Sequence, residues 1–401
     1  MNKNNPLFIV IACVWLLPFS SVQLLPFGIP LYPIEIILLV AFPFLFTKDT
    51  YKIFSEQFTQ KIAIFSLILF CGAGISFLFN PGTLIGLGQL KSFFFFPVLF
   101  WLFATSALSE FECRSRLLWH LRWMFFSVAA TALFSVFSHG LTYDSRLNAW
   151  FDSPNLLAML LLPGVILWSA FLVLKRKRTS FFEGISWGVV MTAFLATQSY
   201  SAFLAAFLAG VVFLWISREY VHWKGPALRI MILGALFIGG LLFVNGERGA
   251  EKWTSLITGD ERSSFSSRKM IWSAAIKMLQ DSPATGIGPG RFQSTYLEYQ
   301  RFYPPYLEWA VPHPHNLFFA LWLSSGILGA IASIWLCFFL FSALKEIPSK
   351  KEKALMGALF FGLFVSGLFD VPYFRAEFCF LFWLELALFS GMLLRKKGSC
   401  S

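Results

Sequence analysis

Charge is what this 401-residue chain has least of: 13% of its residues are Asp, Glu, Lys or Arg, against 57% hydrophobic and 19% aromatic. A water-soluble globule of this size needs far more polar surface, so the composition excludes a soluble fold and calls for lipid as the solvent. Cysteine is sparse as well. The six cysteines, Cys13, Cys71, Cys113, Cys337, Cys379 and Cys400, form no Cys-x-x-Cys pair and avoid the one long loop, which argues against a disulfide framework and against a zinc centre. Flexible linkers and soluble-domain stretches are missing too, so residues 1–401 read as a single integral membrane domain. The segment Met1 to Pro18 has one basic residue, Lys3, and no small-residue cleavage site after it; it reads as a retained first span and not as a signal peptide.

What the chain does have is apolar runs. With roughly 20 residues per span, they fall near residues 6–24, 31–47, 61–79, 90–108, 117–138, 154–174, 183–198, 201–217, 226–245, 315–344, 353–369 and 374–394. This predicts an all-α, polytopic membrane protein of about twelve transmembrane helices, with one long loop, residues 246–312, between spans nine and ten. The net charge of +11 would suit a nucleic-acid partner only if the basic residues gathered on one wet face. Instead most of them sit on one side of the spans, in every second segment: Lys3; Lys48, Lys52 and Lys61; Arg114, Arg116 and Arg122; Lys175 to Arg178; Arg218, Lys224 and Arg229; Lys345 to Lys353; Arg395 to Lys397. The opposite short loops hold Arg146 and Arg375, with Lys91 at the start of a span. The positive-inside rule then places both termini in the cytoplasm and the long loop outside, and no nucleic acid is expected as a partner.

That loop is the natural seat of function, because long structured loops are uncommon unless they are used. Ser266 and Ser267 are placed to cap a helix with Met270, Ile271, Ala274, Ala275 and Met278 on one face, and Asp281-Ser282-Pro283 stops it. Such a helix is expected to lie on the membrane surface or on the bundle. A glycine turn, Gly286-Ile287-Gly288-Pro289-Gly290, follows; it lacks the Lys-Ser/Thr ending of a nucleotide loop and reads as a turn. An aromatic stretch from Phe292 to Trp309 comes next.

Candidate chemistry collects at the outer mouth of the spans. In Pro312-His313-Pro314-His315-Asn316 the prolines delay helix entry, leaving His315 at a membrane–water boundary where an imidazole either caps a helix or serves as a general base. His313 is the weaker of the two, since Pro314 separates it from the helix. Arg268, with Trp272 one turn on, stands in the first turn of the loop helix, where backbone N–H groups favour an anion; it is either a solvated arginine or a bidentate phosphate clamp. Arg146, in the outer loop leading into the sixth span, is a candidate for an anionic ligand, while Asp152 and Asn155 are placed to cap that span.

Together these motifs resemble the O-antigen ligase and polymerase family of bacterial membrane enzymes. The resemblance covers most of the chain. Its specific parts are Ser267-Arg268-Lys269-Met270-Ile271-Trp272, Pro283 through Gly290-Arg291-Phe292, and His315-Asn316-Leu317-Phe318, with a weaker element at Asp152 to Ala158. It implies an inner-membrane glycosyltransferase with a periplasmic long loop, acting on an undecaprenyl-pyrophosphate-linked glycan donor and a lipid A-core or glycan acceptor. It implies catalytic roles for Arg268 and His315, substrate contacts from Arg146, Lys269, Arg291, Asn316, Tyr200 and Trp272, and no metal or other cofactor. The family's further arginine at the outer end of the eighth span is replaced by Tyr200, a position that Arg146, Lys269 or Arg291 would have to cover. Within the family, ligase and polymerase activities remain alternatives. A secondary transporter is the competing class; it calls for two matching halves and ionisable residues at mid-span.

Overall fold

The computed structural model describes residues 4–20, 22–24, 31–45, 53, 55–80, 83–175, 179–218, 264–304 and 311–394. The apolar runs become helices almost segment for segment: α1 (Asn4–Leu16), α2 (Pro33–Ala41), α3 (Gln57–Phe79), α4 (Leu84–Gln89), α5 (Phe96–Ala107), α6 (Phe111–Phe134), α7 (Pro154–Leu174), α8 (Phe181–Ala196) and α9 (Tyr200–Ser217). In the long loop come α10 (Ser264–Asp281) and α11 (Phe292–Tyr299), followed by α12 (Leu317–Ala343), α13 (Lys350–Phe369) and α14 (Ala376–Leu394). A π-helical stretch, Leu90–Phe95, joins α4 to α5. Two isolated bridges, Leu24 with Leu31 and Leu141 with Leu147, are the β pairings among the described residues.

Among the described residues eight helices are long and apolar enough to cross a membrane, among them the merged α4–α5; α8 and the first helical stretch are apolar but shorter. The protein is therefore an all-α, multi-pass membrane protein. Of the twelve expected spans, the ninth (226–245) lies outside the described residues, as do 246–263, Tyr306 and Trp309 of the long loop.

Start signals are written locally. Thr83, Ser153, Ser180, Asn316 and Ser349 each accept a backbone N–H from the first turn of the helix that follows, satisfying donors that have no carbonyl partner there. Lipid provides no hydrophobic drive between helices, so close backbone approach matters more than in water. At Gly72 an added Cβ would lie 2.6 Å from the Ser325 carbonyl oxygen, which lets α3 press on α12. Helix α14 is the most thoroughly buried of the described spans and packs on α5, while α9 packs on α13 and α7 touches α6, α8, α9 and α13. Phe8, Leu78, Phe207, Trp215 and Phe338 are exposed, as befits faces turned to lipid. A buried acid lies in the middle of a span: Glu385 of α14 is 4% exposed, and its Oε2 has no hydrogen-bond partner among the described residues.

The loop helices build a small core of their own against the N-terminal half of α12, with Ile271, Ala274, Ala275, Met278, Tyr296 and Leu323 buried together. The loop helix thus lies on the bundle, one of the two expected placements. It begins at Ser264, so Ser266 and Ser267 sit inside its first turn and do not cap it. The glycine turn docks into a break in α12: Ile287 and Gly288 donate to the Leu323 carbonyl at 2.9 and 3.2 Å, and Ile327 donates to the Ala284 carbonyl at 3.0 Å. The break is at Gly326 (φ 63°, ψ −163°). Only glycine fits at Gly286 (φ 64°), where a Cβ would come within 2.3 Å of the Leu323 oxygen.

Candidate active site

His315 is the last residue but one before α12, and its backbone is left-handed, φ 47°, a conformation that costs a non-glycine residue about 1–3 kcal/mol and is kept where the surroundings over-determine it. Here three contacts fix the turn. The Trp272 indole N–H points to the His315 carbonyl at 3.4 Å, the Asn316 side chain accepts from Phe319 N–H at 3.1 Å, and its amide donates to the Leu368 carbonyl at 3.1 Å. The imidazole Nδ1 then faces Asp370 Oδ1 at 3.3 Å.

Asp370 terminates α13, its N–H bonded to the Ser366 carbonyl at 3.0 Å. Its Oδ1 also accepts the Val371 N–H at 2.9 Å. Burial by itself would raise this carboxyl; the His315 hydrogen bond, with the charges of His315, His313 and Arg268, outweighs burial and holds it well below the usual carboxylate range. Facing an ionised Asp370, Nδ1 is the nitrogen that keeps its proton, which leaves Nε2 as the one to exchange. That is the arrangement of an oriented general base.

His313 lies alongside, the two imidazole centroids 4.6 Å apart and edge-on. Burial pushes its pKa down to about 4, with Asp370 opposing and His315 and Arg375 reinforcing the shift. Its Nδ1 has no hydrogen-bond partner among the described residues. His313, His315 and Asp370 offer ligand atoms all within 4.8 Å of one another, a geometry that could hold a metal ion. The charges of Arg268 on Asp370 and of Arg375 on His313 work against a dication at this point.

The guanidinium groups come from three separate elements. Arg268 reaches from α10 to the end of α13, Nε donating to the Phe369 carbonyl at 2.9 Å, one residue before Asp370. Arg146 comes from the loop after α6. Its Nε donates to the Thr197 carbonyl at 3.0 Å, Nη2 to Asn155 Oδ1 at 3.0 Å, and Nη1 stands 3.9 Å from Asp144. Burial lowers its pKa first of all, Asp144 and Tyr200 oppose, and the Arg268 charge adds to the lowering. Two cations within electrostatic reach of one another, one of them desolvated, favour an anion between them. Tyr200 opens α9 on the turn that Arg146 grips, so a cation does stand beside the tyrosine. Arg375, ahead of α14, bridges Glu377 and Asp152 at 2.7 Å each.

The structure thus brings Arg268, Arg146, Tyr200, Trp272, His315 and Asn316 to one mouth. It does not bring in the other two candidates. Lys269 is exposed on α10, and Arg291 belongs to the glycine turn beside Gly288 and Asn80; neither side chain makes a hydrogen bond or ion pair with another described residue. Asp152 and Asn155 are not caps: Ser153 caps α7, accepting from Leu156 N–H at 3.4 Å, while Asp152 holds Arg375 and Asn155 holds Arg146.

Residues 185–334 match the family model described as O-antigen ligase. The match runs from α8 to the middle of α12, taking in Tyr200 and the three specific motifs with Arg268, Trp272, His315 and Asn316; the weaker element, Asp152 to Ala158, lies outside it. The match supports an O-antigen ligase or polymerase type of function, the work of glycosyltransferase-like membrane enzymes. Arg146, Asp370 and Arg375 lie outside the matched residues. No curated protein matches the chain.

Proposed function

We propose that this protein is an inner-membrane glycosyltransferase of the O-antigen ligase type, moving a glycan from undecaprenyl pyrophosphate to lipid A-core, with both termini cytoplasmic and the long loop periplasmic. The observation that carries the reading is the His315–Asp370 pair beside Arg268 and Arg146: a base whose lone pair is set by a carboxylate, next to cations that suit a pyrophosphate.

In this mechanism the acceptor hydroxyl loses its proton to His315 Nε2 as its oxygen attacks the anomeric carbon. The bond from that carbon to the pyrophosphate oxygen breaks, and lipid pyrophosphate departs with the electron pair, inverting the configuration. Pyrophosphate is already a good leaving group, so the protein's contribution is positioning and charge neutralisation. Arg268 and Arg146 hold the phosphates, Arg146 covering the place of the arginine that Tyr200 replaces. Trp272 and Asn316 hold the turn that aims His315.

Deleting the gene in its host and comparing lipopolysaccharide with the lipid-linked glycan pool tests the assignment. Loss of the long ladder with accumulation of long lipid-linked chains supports ligase. A single capped repeat unit assigns polymerase instead, and an unchanged ladder and pool refute both.

A further inference from the structure

Glu385 is the tenth of the 19 residues of α14, midway along the span. It is 4% exposed, and its Oε2 has no hydrogen-bond partner among the described residues. The carboxyl borders a cavity of about 20 Å³ at the junction of α7, α13 and α14, enough for one water. No other described residue around the cavity is titratable. Helices α5 and α7 carry no titratable residue at all, and α13 keeps its charges at its ends. The cations of the other elements packed on α14 are committed elsewhere: Arg114 to the Gly391 carbonyl at 2.8 Å, Lys91 to Glu35, and Lys61 over the Phe339 ring. Arg375, ahead of α14, holds Glu377 and Asp152.

The cavity also meets a gap in the hydrogen-bond ladder of α7. Pro163 stands inside that helix and has no N–H, so the Met159 carbonyl one turn earlier loses its helical donor. Both residues line the cavity, as does Ser366 of α13. A carboxylate there would set acceptor against acceptor, and an unpaired charge within a bilayer costs far more than taking up a proton. A carboxylic acid has the hydrogen that the carbonyl lacks. We propose that Glu385 is a proton-binding site: a neutral acid whose O–H donates to a water in the cavity, which in turn donates to the Met159 carbonyl and joins α14 to the proline break of α7.

The junction lies beneath the candidate active site, since each of its three helices carries part of that site at the same end. Asn155, in the first turn of α7, holds Arg146; the Ser366 carbonyl on α13 holds the Asp370 N–H; Arg375 precedes α14. The proton on Glu385 therefore makes it a positioning residue for the base and the phosphate clamp. This second part rests on the glycosyltransferase reading; the proton site does not.

The test is infrared difference spectroscopy of the full-length protein in phospholipid nanodiscs near neutral pH. The carbonyl stretch of a protonated carboxylic acid is expected, sensitive to heavy water and missing from Glu385→Gln. Pro163→Ala returns an N–H to the Met159 carbonyl, and the band should move to higher frequency as the acid loses its acceptor. Absence of the band, its disappearance on adding sodium, or a band indifferent to Pro163→Ala overturns the proposal, the three results meaning an ionised group, a metal-cation site and a different partner. Positioning is read from glycan transfer. Glu385→Leu is expected to lower kcat about tenfold, and Glu385→Gln, which keeps a neutral donor, to recover most of the loss. Equal loss in the two variants, or none in Glu385→Leu, refutes the positioning role. Absence of transfer by the unmodified protein sinks the glycosyltransferase reading, and the spectra then decide the proton site alone.

Discussion

Asp370→Asn separates charge from geometry at the candidate base. One oxygen, Oδ1, accepts from both His315 Nδ1 and Val371 N–H, and an asparagine carbonyl can keep both bonds while removing the negative charge. The consequence falls on the step in which His315 becomes an imidazolium. Opposite unit charges about 4 Å apart at an effective dielectric of ~20 attract by about 4 kcal/mol. The His315 side chain is 27% exposed, and solvent screening that halves this figure leaves about 2 kcal/mol, so the expected loss of rate lies between about 30-fold and 1000-fold. Asp370→Ala gives up orientation as well and should approach His315→Ala, the loss of a placed base, about 10² to 10⁴. The assay is the initial rate of glycan transfer by purified protein in nanodiscs at saturating donor, with protein amount and melting temperature measured alongside. An Asn variant that stays folded and within twofold of the unmodified rate refutes the role given to the carboxylate.

Arg146→Ala should weaken donor binding and raise KM more than it lowers kcat; adding Tyr200→Arg to that variant should restore part of the loss, and no restoration would show that the two positions do not serve one site. Gly286→Ala places a Cβ against the Leu323 oxygen at positive φ, with an expected cost above about 1 kcal/mol, read as a lower melting temperature and faster proteolysis of the loop; unchanged values would contradict the docking. His313 has a folded-state pKa of about 4, below the ordinary imidazole value. The unfolded chain therefore binds more protons between about pH 6.5 and 4, and stability should fall as pH drops through that window. His313→Gln should flatten the melting-temperature profile there, and an unaltered slope would assign it to another group.

Much of the architecture could be read from the chain because lipid demands long apolar runs and punctuates them with charge. The runs near 154–174 and 374–394 became α7 and α14 with hardly a shifted boundary. His315, Asn316 and Arg268 were legible because prolines, a helix start and a family motif mark them. Asp370 was not: it follows its partner by 55 positions and looks, on its own, like the end of a span. Only the fold brings the Phe369-Asp370 end of α13 beneath the loop helix, and the same is true of the Asp152–Arg375 and Asn155–Arg146 pairs that replaced the expected caps. The break at Gly326 was hidden for a related reason, since a glycine in an apolar run is ordinary and its role depends on the turn that docks there. Glu385 is visible in the sequence as an acid set amid apolar residues, a signal of function in membranes, but its burial and lack of a partner among the described residues belong to the fold.

The most direct measurement is transfer by the purified, full-length protein in nanodiscs, from a labelled undecaprenyl-pyrophosphate glycan to lipid A-core, with His315→Ala in parallel. The account predicts a glycosylated product of inverted anomeric configuration and a loss of about 10² to 10⁴ in rate for the variant. Product formed equally well without the imidazole, or no product from the folded, unmodified protein, would contradict it.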